Sequence, residues 1–178
     1  MPKHPGVRVI QKQRQQRFIW TDAAGTKGIG RFMLPPEIIP PTEPPLTADM
    51  LALVRPEHCF AGNVQPRYKD AHINAKEMLA IRFTLKKWSA ELSNCSLLIH
   101  CDNSAVVGGI RRKTSRGELM TALRRTLLVA AQFDIELMIK WIPSEENALA
   151  DALSRFDTVR IAKLAPQLGL HRRSFIKG

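Results

Sequence analysis

Apolar residues recur in two rhythms along this chain, and each rhythm predicts a different kind of element. Leu97-Leu98-Ile99-His100-Cys101 is a short apolar run that stops on Asp102-Asn103, after which Ser104-Ala105-Val106-Val107 begins a helical pattern. The run predicts a strand that delivers Asp102 to its C-terminal edge, with Asn103 capping the helix that follows. Arg17-Phe18-Ile19-Trp20-Thr21-Asp22 repeats the design, and Ala23 to Gly28 supplies the turn into a returning strand, Ile29 to Leu34. Met78, Ile81, Leu85, Trp88 and Leu92 fall at steps of three and four, which predicts the clearest helix, with Asn74 and Glu77 at capping-box spacing. Ser115-x-x-Glu118 has the same spacing and opens a helix with Leu119, Leu123, Leu127 and Ala130-Ala131 inside and Arg124-Arg125 outside. Ile135 to Ile142 predicts a strand buried on both faces and ended by Pro143. Ser144 to Asn147 then forms a turn, and Asn147 caps a helix from Ala148 to Arg155.

Between these segments the sequence punctuates itself. Six prolines between Pro35 and Pro45 exclude a central strand and a continuous helix, so the stretch is read as a surface loop. Thr47 to Val54 adds a short helix capped by Thr47 and stopped at Arg55-Pro56, and Cys59 to Val64 adds a short strand. Two strands therefore end in aspartate, and two helices carry an acid in the first turn or two: Asp22, Asp102, Glu77 and Asp151. A mixed sheet with helices packed on it lets these acids meet. Four carboxylates share a small site only if cations neutralise them, because like charges a few Å apart raise one another's pKa. Oxygen-only ligation suits Mg²⁺ or Mn²⁺, and a pair of such ions roughly 3.5–4 Å apart is a clamp for in-line attack on a phosphodiester. A glutamate three residues after a helix cap is, taken alone, more often a cap than a catalyst.

Composition narrows the partner. The 178 residues suit one domain with tails, and 44% hydrophobic content suffices for an ordinary core. A formal charge of +11 points to a polyanion, with nucleic acid foremost, since lysine and arginine displace counterions from phosphate backbones. Cys59, Cys95 and Cys101 have no metal-ligand spacing, and an odd set of isolated thiols suits a reducing compartment. With no apolar signal core at the N-terminus and no run of about 18 apolar residues, the expected protein is soluble and intracellular, cytoplasmic or nuclear, and no membrane is involved.

Four blocks carry a resemblance: Thr21-Asp22-Ala23, then Ile73-Asn74-Ala75-Lys76-Glu77-Met78-Leu79-Ala80, then Ile99-His100-Cys101-Asp102-Asn103-Ser104-Ala105-Val106-Val107. The fourth joins Trp141-Ile142-Pro143 to Asn147-Ala148-Leu149-Ala150-Asp151-Ala152-Leu153-Ser154-Arg155. In this order over residues 17–156 they resemble the ribonuclease H domain of reverse-transcribing retroelements, the last block being especially similar to gypsy-type and DIRS-type elements. The resemblance implies an α/β fold with a five-stranded mixed sheet, in order 3-2-1-4-5, flanked by helices. It implies that Asp22 and Asp102 hold metals centrally, that Glu77 serves the leaving-group side and that Asp151 completes the nucleophile side. The implied activity is two-metal hydrolysis, by Mg²⁺ or Mn²⁺, of the RNA strand in an RNA–DNA hybrid, leaving 5′-phosphate and 3′-hydroxyl ends. An adjacent reverse transcriptase domain is the implied protein partner.

Residues 1–16 then read as a basic lead-in, 17–156 as the domain with a proline-rich insertion at 35–56, and 157–178 as a basic tail. Arg111, Arg112, Lys113 and Arg116 are the surface candidates for the DNA strand's phosphates, and Asn103 is a candidate for hybrid contact. Asn147 is read as a cap, His100 as structural, and Trp20, Trp88 and Trp141 as core. Many family members place a histidine in the loop before the last acid. Here that loop is Pro143-Ser144-Glu145-Glu146-Asn147, and solvated carboxylates are the favoured reading of Glu145 and Glu146. Three functions compete: an active hybrid ribonuclease, an inactive connection-type module that binds nucleic acid or a polymerase, and a DNA strand-transfer or junction-cutting enzyme of the same fold. The aspartate at 151 disfavours the third, whose sites generally end in glutamate.

Overall fold

The computed structural model describes residues 13–40 and 46–177; most of the lead-in and Pro41, Pro44 and Pro45 lie outside the described residues. The strands are β1 (Gln15–Ala24), β2 (Gly28–Met33), β3 (Cys59–Asn63), β4 (Cys95–Cys101), β5 (Glu136–Trp141) and β6 (Ile176–Lys177). They form one sheet in the order β5-β4-β1-β2-β3-β6. β1, β2 and β3 pair antiparallel, whereas β4 and β5 run parallel to β1. The expected order 3-2-1-4-5 is present, and a sixth strand is added, because the chain's last segment returns and pairs with β3 at Ala61 and Gly62.

Helices cover both faces. α1 (Ala48–Leu51) closes a loop, while α2 (Ile73–Lys87) and the short α3 (Ser89–Leu92) lie on one face with α4 (Ser104–Arg112) and α5 (Gly117–Gln132). Their apolar residues, Met78, Ile81, Leu85, Val106 and Leu123 among them, pack on Ile19, Met33, Leu97 and Ile99. α6 (Ala148–Ser154) and α7 (Thr158–Leu164) cover the other face, joined by α8 (Arg172–Phe175). There Leu149, Leu153, Ile161, Leu168 and Phe175 surround Trp20 and Phe32. Residues 158–177 thus contribute core side chains as well as basic charge.

Several local expectations change. α2 is capped by His72, whose Nδ1 accepts from the Asn74 backbone N–H at 3.1 Å, so Asn74 lies inside the helix and Glu77 is free of capping duty. α5 begins after Arg116 with no side-chain cap, and Glu118 accepts instead from the His72 backbone N–H at 3.1 Å, tying α5 to α2. Asn147 precedes α6 without capping it and donates its amide to the Thr21 carbonyl at 2.9 Å. β5 is an edge strand, not one buried on both faces, and Trp141 is 48% exposed; its indole N–H donates to the Asp102 carbonyl at 3.1 Å. Edge position, which alternation alone does not encode, accounts for both. Thr47 and Asn103 do cap their helices.

Gly30 sets the distance between α6 and the sheet. It pairs with Asp22 across β1 and β2, and a Cβ there would collide with the Ala150 carbonyl and the Ser154 nitrogen. Only glycine allows this close approach, which brings α6 to Asp22.

One buried charge stands apart. Arg31 on β2 is 3% exposed, its Nε and Nη1 have no hydrogen-bond partner, and burial pushes its pKa down to about 9. The guanidinium lies 4.0 Å from the Phe60 ring centre, which compensates only part of the lost hydration. Arg31→Met, which keeps the stem and removes the charge, is expected to stabilise the fold by on the order of 1 kcal/mol in urea unfolding; a comparable loss would show the charge to be compensated.

Candidate metal centre

Parallel strands β1 and β4 run side by side, with Trp20 in register with His100, so Asp22, still within β1, and Asp102, just past the end of β4, stand at the same edge. Glu77 reaches them from the first turns of α2, where it is buried together with Met78, Ala80 and Ile81. Oxygens of Asp22, Glu77 and Asp102 all lie within 4.8 Å of one another. Two of these acids are nearly sealed: Asp22 is 6% and Glu77 4% exposed.

The electrostatics follow from that crowding. Burial, then repulsion from Asp102 and Asp151, raises Asp22 from 3.8 to about 6 against the opposing hydrogen bond from Ser154. Burial raises Glu77 well above its ordinary value, reinforced by Asp22 and Asp102, with the Ala23 backbone N–H pulling the other way. Glu77 Oε2 is buried with no hydrogen-bond partner. Three convergent carboxylates with an orphaned buried oxygen form a hard-oxygen donor set that fits a divalent cation of the Mg²⁺ or Mn²⁺ kind.

The surrounding side chains fix the acids' orientations. Ser154 Oγ shares its one proton between Asp22 Oδ2 and the Asp151 carbonyl of its own helix, 2.8 Å away. Ser144 Oγ donates to Asp102 Oδ2 at 2.7 Å. Lys76 Nζ donates to the carbonyls of Gly25 and Lys69, at 3.0 and 2.6 Å, and so fastens the β1–β2 turn to the start of α2. None of these three was singled out from the sequence. Ser154 had a signal, since it lies three residues after Asp151 on the same helix side; Ser144 and Lys76 had none.

Asp151 is placed differently from the other three. It stands on α6 near enough to raise Asp22 and Glu77, yet it is not part of the 4.8 Å group. Arg155 Nε donates to its Oδ1 at 2.7 Å, and Arg160 donates to its Oδ2. Burial pushes this carboxyl up, but the two arginines outweigh it and hold it below the ordinary value.

His100 stays out of the centre: its ring stacks on Trp20 at 4.2 Å, its Nδ1 meets the Ile19 carbonyl at 3.2 Å, and burial lowers it to about 4. Asn103 caps α4 by accepting from the Ala105 and Val106 N–H groups, and its Nδ2 donates to Asn74 Oδ1 at 2.9 Å. That bond leads into a groove of about 800 Å³ lined by Asn74, Arg112, Thr114, Ser115 and Arg116. Arg111 and Lys113 are exposed but do not line it, with Arg111 donating to the Ile139 carbonyl on β5 at 3.4 Å and Lys113 ending α4 at a left-handed φ of 55°. Glu145 is exposed and Glu146 half-buried on the loop that carries Ser144. Among the described residues, no helix is long and apolar enough to cross a membrane.

No family model matches the sequence, and neither does any curated protein. Solved structures do match. RNase H1 from the halophilic archaeon Halobacterium salinarum aligns with a TM-score of 0.58 and 14% identity over 80% of this chain and 98% of its own. The N-terminal RNase H domain of Rv2228c from Mycobacterium tuberculosis gives 0.55 and 18% over 78% and 95%. LC11-RNase H1, solved in complex with an RNA/DNA hybrid, gives 0.57 and 18% over 77% and 92%. At such identities the likeness is one of fold, and the fold this chain shares with them is that of ribonuclease H.

Proposed function

We propose that this chain is a metal-dependent endonuclease that hydrolyses the RNA strand of RNA–DNA hybrids, the ribonuclease H part of a gypsy-type or DIRS-type retroelement reverse transcriptase. The observation that carries the reading is the convergence of Asp22, Glu77 and Asp102, from three separate segments, at one sheet edge. In this reading the three acids, with Asp151, hold two Mg²⁺ ions, for which Mn²⁺ substitutes. Bound there, the cations supply the Lewis acidity for in-line attack of water on a phosphodiester. The protein's own work is positional: Ser144 and Ser154 lock the rotamers of Asp102 and Asp22, and Gly30 lets α6 carry Asp151 toward them. The hybrid lies along the groove, its DNA phosphates held by Arg111, Arg112, Lys113 and Arg116, with Asn103 close to the strand that is cut. The four sequence blocks support the retroelement origin.

Incubation with Mg²⁺ or Mn²⁺ and matched RNA–DNA, RNA–RNA and DNA–DNA duplexes is expected to cleave only the RNA of the hybrid. Asp102→Asn should abolish that cleavage while leaving the protein folded. Binding without cleavage in either metal selects an inactive nucleic-acid-binding module instead, and DNA cutting selects a strand-transfer or junction enzyme. Replacing Arg111, Arg112, Lys113 and Arg116 by alanine should flatten the salt dependence of hybrid affinity by roughly one unit of slope for every phosphate that is no longer neutralised. An unchanged slope would remove these residues from the interface.

The raised acids also fix a pH dependence. A carboxyl whose folded value is about 6 against an ordinary 3.8 prefers its proton in the fold, so its penalty is absent below pH 3.8, grows toward pH 6 and is full above. Without metal, Asp22→Asn should therefore stabilise the protein by on the order of 2 kcal/mol at neutral pH and by almost nothing near pH 3.5. Mg²⁺ should raise the melting temperature of the wild-type protein more at pH 7.5 than at pH 5, where protons on Asp22 and Glu77 compete with it. Equal metal stabilisation at both pH values would contradict cation binding at these acids.

A further inference from the structure

Asp151 receives a guanidinium on each oxygen, and the two arginines have different origins. Arg155 follows it by four residues on the edge of α6, a pairing any exposed helix can make. Arg160 comes from α7, beyond a turn in which Phe156 takes a left-handed φ of 56°. Asp157 then caps α7 by accepting from the Arg160 backbone N–H at 3.0 Å, and buried Ile161 docks the helix in the core with Leu149 and Leu153. Packing, not a flexible stem alone, aims Arg160 at Asp151.

We propose that Arg160 is a positioning residue that sets how tightly the Asp151 side of the centre takes a divalent cation, making the two cation positions unequal. The inference rests on the proposed reading of these acids as metal ligands. A guanidinium bonds the same in-plane lone pairs that a cation needs, and its charge opposes a second positive ion in a partly buried place. Arg160 therefore competes for Oδ2, whereas no cationic side chain bonds the carboxylates of Asp22, Glu77 or Asp102 in the described residues. The tight position is the one among Asp22, Glu77 and Asp102. The weak one is at Asp151. A plainer role is a staple between α6 and α7; it predicts lower stability on removal of Arg160 and no change in cation affinity.

Mn²⁺ titration of the full chain, followed by the electron paramagnetic resonance of free Mn²⁺ and by thermal unfolding, separates the two. Wild type is expected to show a tight and a weak class of Mn²⁺ site. Arg160→Ala, and Arg160→Met as the variant that keeps the packed stem, should tighten the weak class by about tenfold and leave the tight class unmoved, while Arg160→Lys stays near wild type. A weak class unmoved in both the alanine and methionine variants overturns the proposal, whatever happens to the melting temperature. Asp102→Asn separates this failure from that of the parent reading. If it abolishes the tight class while the Arg160 variants change nothing, only the role of Arg160 is lost; if wild type and Asp102→Asn take up Mn²⁺ alike, the metal centre itself is wrong and the proposal falls with it.

Discussion

The burial of carboxylates beside one another is the constraint on which this structure turns. Asp22 and Glu77 are almost wholly removed from water, and each is pushed toward its protonated form by burial first and by its neighbours second. A fold that places acids this way is less stable near neutral pH than one that scatters them, unless opposite charge arrives. The two hydroxyls nearby, on Ser144 and Ser154, aim the acids without neutralising them. The nearest arginines bond Asp151 instead, and of the two Arg155 draws the Asp22 pKa down only through its charge. The remaining charge is what a hard divalent cation is suited to balance.

The scaffold serves that crowding. Parallel pairing of β1 with β4 brings two aspartates to one edge, and α2 supplies the glutamate from one face of the sheet. α6 brings the fourth acid from the other face, through the gap left by the missing side chain of Gly30. The amide of Asn147 on the Thr21 carbonyl ties the loop before α6 to the strand that carries Asp22. Tertiary bonds of this kind fix relative placement to a degree that helix packing alone does not.

Much of this was legible in the sequence. The apolar run stopping on Asp102 was enough to place it just past the end of β4, whereas β1 continues two residues beyond Asp22 before it turns, and the three- and four-residue rhythm around Glu77 was enough to turn it toward the sheet. The order 3-2-1-4-5 came with the resemblance, and the sheet has it with one strand more. What failed was local and depended on distant contacts. Capping-box spacing pointed to Asn74 and Ser115, yet His72 caps α2 through its own ring, Arg116 precedes α5 without a side-chain cap, and Glu118 is drawn off to the His72 backbone across the α2–α5 interface. Trp141 looked like core from the apolar strand pattern around it but lies on an edge strand, where its indole bonds the Asp102 carbonyl. The arginine pair on Asp151 had no sequence signature beyond the four-residue spacing of Arg155, since Arg160 arrives only through the packing of α7.

Anomalous diffraction from crystals soaked in Mn²⁺ measures the central claim directly, because it locates the ion without reference to activity. The account predicts a strong manganese peak bonded to oxygens of Asp22, Glu77 and Asp102. Manganese bound only elsewhere on the protein, with those three carboxylates left bare at saturating metal, would contradict it.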